Sequence, residues 1–457
     1  MSFCETKLGG FRKKAYLLRA VKSARKTLDV TYYVQSAFLI AGRIDEKSRL
    51  ELDPAQCFVI IGGHEVYIPP VHSSVNPQSY ALMRDQFKAL EMIQKGVLGT
   101  SPWYVILYVT AHCNSKCQFC FYWEQIEAAD RSRELTLDEM EKIARHLPSL
   151  YQLTLTGGEP FMRKDLAKII KLFHWNSGVK RFTIPSNGFF TKFTEEVLED
   201  ALSTCPDANI SINFSLDNLH EKHDEVRGLP GNFKRMIETI GVLRGLQKKY
   251  SNLFLGGATT ASKFNIDDLK GLIDYVYDND LVDNYGIMMA RGNTYDAESK
   301  EFPEEKYWEI ARYHMSRLKE KTSNLALVKT LYETKKKTVD EERMVDTCRA
   351  GEKMVIISER GFVYPCELMP PFVPAGGRNY SKEAGIDDFS FGNVRDVNYD
   401  LTGLLNTPHA KKVISFIKNR GCWCTFECAM INNLAFSPRA YAEIAKNSLF
   451  PSAASTL

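Results

Sequence analysis

Three cysteines, Cys113, Cys117 and Cys120, stand at C-x3-C-x2-C spacing just after the apolar run Trp103-Tyr-Val-Ile-Leu-Tyr-Val-Thr110. Soft thiolates select iron–sulfur clusters, zinc or copper. Set against a four-iron cluster, three cysteines leave one iron without a protein ligand, and an open iron can bind and activate a substrate. Zinc is the alternative. A structural zinc site needs four ligands, typically from two paired clusters, and His112 next to Cys113 would strain the tetrahedron as the fourth. The spacing favours iron–sulfur. Further on, Leu153-Thr-Leu-Thr-Gly157-Gly158-Glu159-Pro160 reads as a short strand ending in a glycine pair. The glycines let backbone approach a ligand closely, and Glu159 offers an acceptor for an ammonium group.

Alternating strands and helices must position these residues. Strand patterns fall at Tyr104–Thr110, Gln152–Thr156, Arg181–Pro185, Ile210–Leu216, Leu253–Thr260 and Tyr285–Ala290. Helical faces lie between them. Thr136-Leu-Asp-Glu139 has capping-box spacing ahead of Met140, Ile143, Ala144 and Leu147. Leu166/Ile169/Ile170/Phe173, Phe233/Ile237/Ile240/Leu243 and Leu269/Leu272/Ile273/Val276 form further apolar stripes. Six strand–helix units imply an α/β fold with a parallel sheet and crossover helices. Such sheets place their chemistry at the C-terminal ends of the strands.

Cys113, Cys117 and Cys120 followed by Gly157-Gly-Glu-Pro160 resemble the radical S-adenosylmethionine (radical SAM) enzymes. The resemblance covers about residues 103–300, with a second part over about 346–435. It implies a 4Fe–4S cluster on the three cysteines, with the SAM amino and carboxylate groups chelating the open iron. An electron from the cluster would cleave SAM to methionine and a 5′-deoxyadenosyl radical, which removes a hydrogen atom from substrate. By position, Gly157, Gly158, Glu159 and Pro160 would take the SAM amino group. Phe119 and Tyr122 would flank adenine or serve as packing aromatics. Ser186, Asn187, Ser215, Asp217 and Arg227 fall where the family places SAM contacts. Arg227 suits a carboxylate because its planar fork pairs bidentately, the alternative being a surface salt bridge; Asn187-Gly188 is also a plain turn. Arg291 and Asn293, past the sixth strand, would face the same mouth or cap the strand. Six units rather than eight imply, as in that family, a partial (β/α)6 TIM-like barrel.

A second cysteine group begins at Cys348, continues through a hairpin of Met354–Ser358 and Phe362–Cys366, and closes with Cys422-Trp-Cys424-Thr-Phe-Glu-Cys428. Cys348, Gly361-x4-Cys366 and the closing cluster resemble the SPASM/twitch extensions of radical SAM enzymes. A full SPASM domain has about seven cysteines and two auxiliary clusters, and here five are available. The resemblance implies one auxiliary 4Fe–4S cluster on Cys348, Cys366 and two of Cys422, Cys424 and Cys428, preferably Cys424 and Cys428. A structural Cys4 zinc site is the alternative. A strand is expected at Phe389–Val397, an amphipathic helix at Glu304–Lys321, and a solvated helix or linker at Lys335–Arg343.

The expected organisation is an N-terminal α+β extension over 1–102, the partial barrel over 103–300, a helical linker over 301–345, a small β-hairpin/helix iron–sulfur domain over 346–440, and a tail over 441–457. A chain of 457 residues with net charge +3 and 25% charged residues is not expected to be disordered, and no nucleic-acid partner is expected. No run of 18 apolar residues suggests a membrane span, and Met1-Ser-Phe-Cys does not open a signal peptide. Eight of the 11 cysteines fall in the two groups, which suits a reducing cytoplasm. Lys7–Lys26 is rich in Lys and Arg, without acids, interleaved with Phe11, Tyr16, Leu17, Leu18 and Val21. It reads as a helix packed on the barrel or one lying peripherally on an anionic membrane. Cys57–Pro69 reads as a β-hairpin with a Gly62-Gly63 turn. The reading is a radical SAM oxidoreductase or maturase, served by an electron donor such as flavodoxin or ferredoxin. Its substrate would be a peptide or protein, with a small molecule or lipid as the alternative. A non-catalytic electron-transfer or sensor protein explains the cysteines but not the strand-end motifs.

Overall fold

Runs of β-branched and aromatic residues that alternate with amphipathic stripes fold as strands and helices in the computed structural model, which describes residues 58–61, 64–67, 101–148, 150–318, 325–367 and 385–449. The chain divides into two units, residues 1–98 and 99–457. In the first, β1 (Phe58–Ile61) and β2 (His64–Tyr67) pair antiparallel with Ile61 opposite His64, the hairpin expected from sequence. The basic segment Lys7–Lys26 lies outside the described residues.

In the second unit, β3 (Tyr104–Thr110), β4 (Gln152–Gly157), β5 (Arg181–Ser186), β6 (Asn209–Ser215), β7 (Leu253–Ala261) and β8 (Asn284–Met289) pair in parallel in that order. Each lies within a residue of its expected bounds. Every residue of β3 is buried, as suits a strand covered on both faces. The connections carry α1 (Trp123–Glu127), α2 (Leu137–His146), α3 (Leu166–Ser177), α4 (Thr191–Thr204), α5 (His220–Arg227), α6 (Asn232–Gln247) and α7 (Leu269–Asp278). The capping box of α2 forms as expected, Thr136 accepting from Glu139 N while the Glu139 carboxylate accepts from Thr136 N at 2.8 Å. Met140, Ile143 and Ala144 are buried on its inner face.

Beyond α8 (Glu304–Leu318) and α9 (Leu325–Asp340) the chain returns to the same sheet. Strand β9 (Met354–Ile357) lies parallel to β3, with Tyr104 opposite Met354 and Leu107 opposite Ile357. It pairs antiparallel with β10 (Phe362–Tyr364), and β10 with β11 (Gly392–Asn393). The sheet order is β11-β10-β9-β3-β4-β5-β6-β7-β8. With β8 and β11 at its two ends the sheet stays open, as a partial barrel does. Four helices follow among the described residues: α10 (Leu401–Leu405), α11 (Pro408–Lys418), α12 (Glu427–Leu434) and α13 (Pro438–Leu449).

Two expectations change. The strand expected at Phe389–Val397 contracts to Gly392–Asn393 and turns into a 3-10 helix, Val394–Val397. The Asn393 side chain accepts from Arg395 N at 3.0 Å, a local bond that replaces the sheet ladder. The charged segment from Lys335 is helical but not solvated throughout. Lys335 is fully buried in α9, donating to the Tyr307 hydroxyl at 2.7 Å and to Glu427 Oε1 at 2.5 Å.

Candidate active site

The cysteine loop starts where β3 ends, and two braces fix its direction. Glu134 accepts from Thr110 Oγ1 at 2.7 Å and from Ala111 N at 2.8 Å. On the opposite side the loop backbone is pinned to the end of α5: Lys116 N donates to Arg227 O at 3.0 Å and Gln118 N to Val226 O at 3.1 Å. Cys117 and Phe119 pack with Val226, and Cys120, Phe264 and Ala290 pack against them.

Between these braces the three thiols face one another. Burial and then Cys117 push Cys113 up to about 12, and burial, Cys117 and Cys113 together raise Cys120. Ser115 N donates to Cys113 Sγ at 3.4 Å. Mutually repelling buried thiolates are costly without a cation and fit a cationic iron centre, which deprotonates coordinating thiols. Among the described residues no three His, Cys, Asp or Glu side chains converge on a single ion.

The glycine pair lies against this loop. Gly158 N donates to Thr110 O at 2.9 Å and Glu159 N to His112 O at 2.8 Å. A Cβ on Gly157 would come 2.1 Å from Thr110 O, and one on Gly158 2.3 Å from His112 O. Gly157 also has φ +146°, outside the range of ordinary side chains. The Glu159 carboxylate, read from sequence as an ammonium acceptor, is instead engaged within the chain. It accepts from Ser186 Oγ at 2.9 Å, Asn187 N at 2.8 Å and Phe161 N at 3.1 Å. Burial raises its pKa, against the pull of these bonds. Glu159 thus ties the end of β4 to the end of β5, leaving backbone to meet a ligand. Pro160 starts the following 3-10 turn.

The other strand ends converge on the same loop. Asn187 Nδ2 donates to Asn114 Oδ1 at 2.7 Å and Ser115 Oγ at 3.0 Å. Ser215 is half-buried at the end of β6. Arg227 and Asp217 form a buried ion pair at 2.5 Å, and Thr260 N donates to Asp217 Oδ1 at 2.8 Å. Burial opposes the charge on Arg227, but Cys117 and Asp217 hold it charged. Arg227 Nε is buried without a hydrogen-bond partner, an unmet donor beside the thiols. His223, which accepts from Asp217 N at 3.3 Å, is pushed down to about 3 by burial and then by Arg227.

Two expected ligand contacts lie elsewhere. The Tyr122 hydroxyl donates to Glu359, and its ring lies 4.4 Å from that of Tyr108, so it bridges the cysteine loop to the β9–β10 turn. Arg291 turns toward the second cysteine group. It donates to Glu427 Oε2 at 3.1 Å, lies 3.8 Å from Glu367, and sits 4.8 Å above the Phe426 ring.

In that second group, burial and then Cys348, Cys366 and Cys424 push Cys422 well above the thiol range. Burial and then Cys348 push Cys424 up to about 12. Cys422 thus feels Cys348, Cys366 and Cys424, and Cys424 feels Cys348. Cys428 sits at the first turn of α12, beside the Tyr104 hydroxyl, Glu367 and Arg291. Glu134, Glu359, Glu367 and Glu427 had no role in the sequence reading, and Lys335 was placed in a solvated segment. The only cue was that Glu367 and Glu427 adjoin cysteines.

Residues 107–276, spanning β3 to α7 and including Cys113, Cys117, Cys120, Gly157 and Gly158, match the radical SAM superfamily. This segment is a radical SAM domain. Enzymes of this superfamily use a 4Fe–4S cluster and SAM, and the braced thiols and unmet Arg227 donor fit both. Among curated relatives, a GTP 3′,8-cyclase of Limosilactobacillus fermentum is 26% identical over 203 residues, 44% of this chain and 58% of that one. An AdoMet-dependent heme synthase of Methanosarcina barkeri is 27% identical over 290 residues, 59% of this chain and 78% of the relative. The sporulation killing factor maturation protein SkfB of Bacillus subtilis is 28% identical over 174 residues, 37% and 38% of the two chains. The chain spans little more than half the length of the GTP 3′,8-cyclases it matches.

Proposed function

We propose that the chain generates a 5′-deoxyadenosyl radical at Cys113, Cys117 and Cys120 and uses it on a peptide or protein. A second iron–sulfur centre on Cys348, Cys366, Cys422 and Cys424 would exchange electrons during the reaction. The bound cluster and SAM supply the radical on one-electron reduction, delivered by a donor such as flavodoxin or ferredoxin. The chain's own groups bind and orient SAM. Gly157 and Gly158 offer backbone at close approach, Arg227 offers its unmet Nε donor to the SAM carboxylate, and Asn187 and Ser215 offer polar contacts at neighbouring strand ends.

The observation that carries this reading is the coupling of Cys422 to Cys348, Cys366 and Cys424, beside a hairpin whose first strand pairs with the first barrel strand. Full ligation by cysteine suits electron handling better than substrate ligation. SkfB, by its name a maturation protein, supports a peptide substrate. The GTP 3′,8-cyclases and the heme synthase support the second reading, a small molecule. No helix among the described residues is long and apolar enough to cross a membrane.

The test is anaerobic reconstitution with iron counting, followed by reduction in the presence of SAM. About eight irons per chain are expected, falling toward four in Cys422→Ala and holding near eight in Cys428→Ala. About four in the wild type removes the second centre. Formation of 5′-deoxyadenosine stimulated by candidate peptides, and not by GTP or a tetrapyrrole, supports the peptide reading; the reverse supports the small molecule. No 5′-deoxyadenosine from the wild type under any of these conditions, with Cys117→Ala no different, removes the enzyme reading.

A further inference from the structure

Each cysteine group has an arginine of its own. Arg227 stands by the first, paired with Asp217, and Arg291 by the second, paired with Glu427. Both keep Nε buried with no hydrogen-bond partner among the described residues. Arg291 belongs to the barrel, two residues past β8, yet its charged partners among the described residues lie in the C-terminal segment. Glu367 adjoins Cys366. Glu427 adjoins Cys428. Phe426, under the guanidinium at 4.8 Å, follows Cys424 by two residues. The Arg291 side chain is only 10% exposed and that of Glu427 12%. Glu427 is shared with Lys335, which has no exposure at all.

Burying two cations and two carboxylates at one place is expensive. Packing alone would be served better by apolar residues. The arrangement does deliver one thing that an apolar seam cannot: a fixed positive charge and a spare N–H beside the second thiol group. Reduction of a cluster there adds one electron, hence one negative charge. Nearby cations and hydrogen bonds to sulfur both favour that state and raise the reduction potential.

We propose that Arg291 is a positioning residue of the barrel that sets the potential of the second iron–sulfur centre, holding it high enough to accept an electron. The inference rests on the proposal that Cys348, Cys366, Cys422 and Cys424 hold such a centre. Glu427 and Lys335 fix the guanidinium in place, and Glu427 also moderates its charge. In the half-reaction the centre gains one electron and no bond forms or breaks. In the reaction the electron would come from the substrate radical left by hydrogen removal, which also gives up a proton to solvent as it becomes the closed-shell oxidised product. In the test it comes from dithionite, a low-potential one-electron reductant.

The experiment is an anaerobic redox titration of reconstituted full-length protein, followed by electron paramagnetic resonance, with iron counted in every sample. The first cluster serves as internal standard. Arg291→Gln is expected to lower the midpoint of the second centre by at least 59 mV, a tenfold change in its oxidised-to-reduced ratio, with the first centre unmoved. Arg291→Lys should retain most of the wild-type value. Glu427→Gln, which removes the opposing charge, should shift the midpoint upward. If Arg291→Gln does not retain iron, the sign of the Glu427→Gln shift decides: upward supports the proposal, and no shift or a downward one overturns it. Full iron with an unmoved midpoint in Arg291→Gln overturns it while leaving the second centre intact. About four irons in the wild type removes the centre itself and the inference with it.

Discussion

Gly158→Ala perturbs the point where the glycine pair meets the cysteine loop. The added Cβ would lie 2.3 Å from His112 O and 2.6 Å from Ala111 O, both backbone atoms just ahead of Cys113. Ordinary contact begins near 3.4 Å, so the two segments must part by about 1 Å, a displacement that can cost roughly 100-fold in rate when it reaches a reacting centre. That is about 2.7 kcal/mol of transition-state stabilisation. The bonds Gly158 N to Thr110 O and Glu159 N to His112 O stretch in the same movement, each worth about 1 kcal/mol. The assay is 5′-deoxyadenosine formation from SAM under reducing conditions, with iron content measured alongside. The expected result is a rate down about 100-fold with partial loss of the first cluster. Gly241→Ala is the control. Its Cβ meets nothing within 4 Å in the middle of α6, and it should gain about 0.5–1 kcal/mol of stability with activity unchanged. A Gly158→Ala protein with full iron and a rate within about twofold of wild type would refute the reasoning, since a 1 Å displacement should cost far more.

Lys335→Met leaves Tyr307 and Glu427 without their buried ammonium partner; thermal or chemical denaturation should show a loss of about 3–5 kcal/mol, and a loss below about 1 kcal/mol, the level of an exposed pair, would mean the ammonium contributes little. His223 gives a pH dependence. Its folded-state pKa is depressed to about 3, so the unfolded chain takes up a proton near pH 6.5 that the folded chain refuses. Its contribution is complete above pH 6.5 and is lost at about 1.4 kcal/mol per pH unit below it, down to about pH 3. Urea midpoints between pH 7 and 5 should therefore fall less steeply for His223→Gln than for wild type, and parallel slopes would count against a buried neutral imidazole.

The six barrel strands were legible because each is a short apolar or alternating run bounded by turn residues, and α2 because its capping box is local. Cys113–Cys120 and Gly157–Pro160 were legible for a similar reason, since the groups that must act together lie on neighbouring strand ends. What escaped depends on partners far apart in sequence. Lys335 looks like one more charge in a solvated run until Tyr307 and Glu427 are beside it. Arg291 looked like a ligand contact because its strand end faces the mouth, and only the returning C-terminal segment gives it carboxylates. Cys428 was the preferred partner of Cys424, but α12 begins between the two and carries Cys428 toward Tyr104. Glu159 was assigned by its charge, when Ser186 and the following amides had already claimed it.

The pairing of β9 with β3 also bears on how the protein is made. Leu107 leaves the ribosome long before Ile357, its neighbour in the finished sheet. At roughly 5–20 residues per second, the interval is on the order of ten seconds to a minute. Throughout it, one side of a strand apolar on both faces has no hydrogen-bonding neighbour, the condition in which strands recruit the wrong partner. The nascent protein passes through a stage in which its radical-generating half is nearly assembled but not yet sealed, and chaperone cover during synthesis would matter more to its yield than the final stability of the sheet.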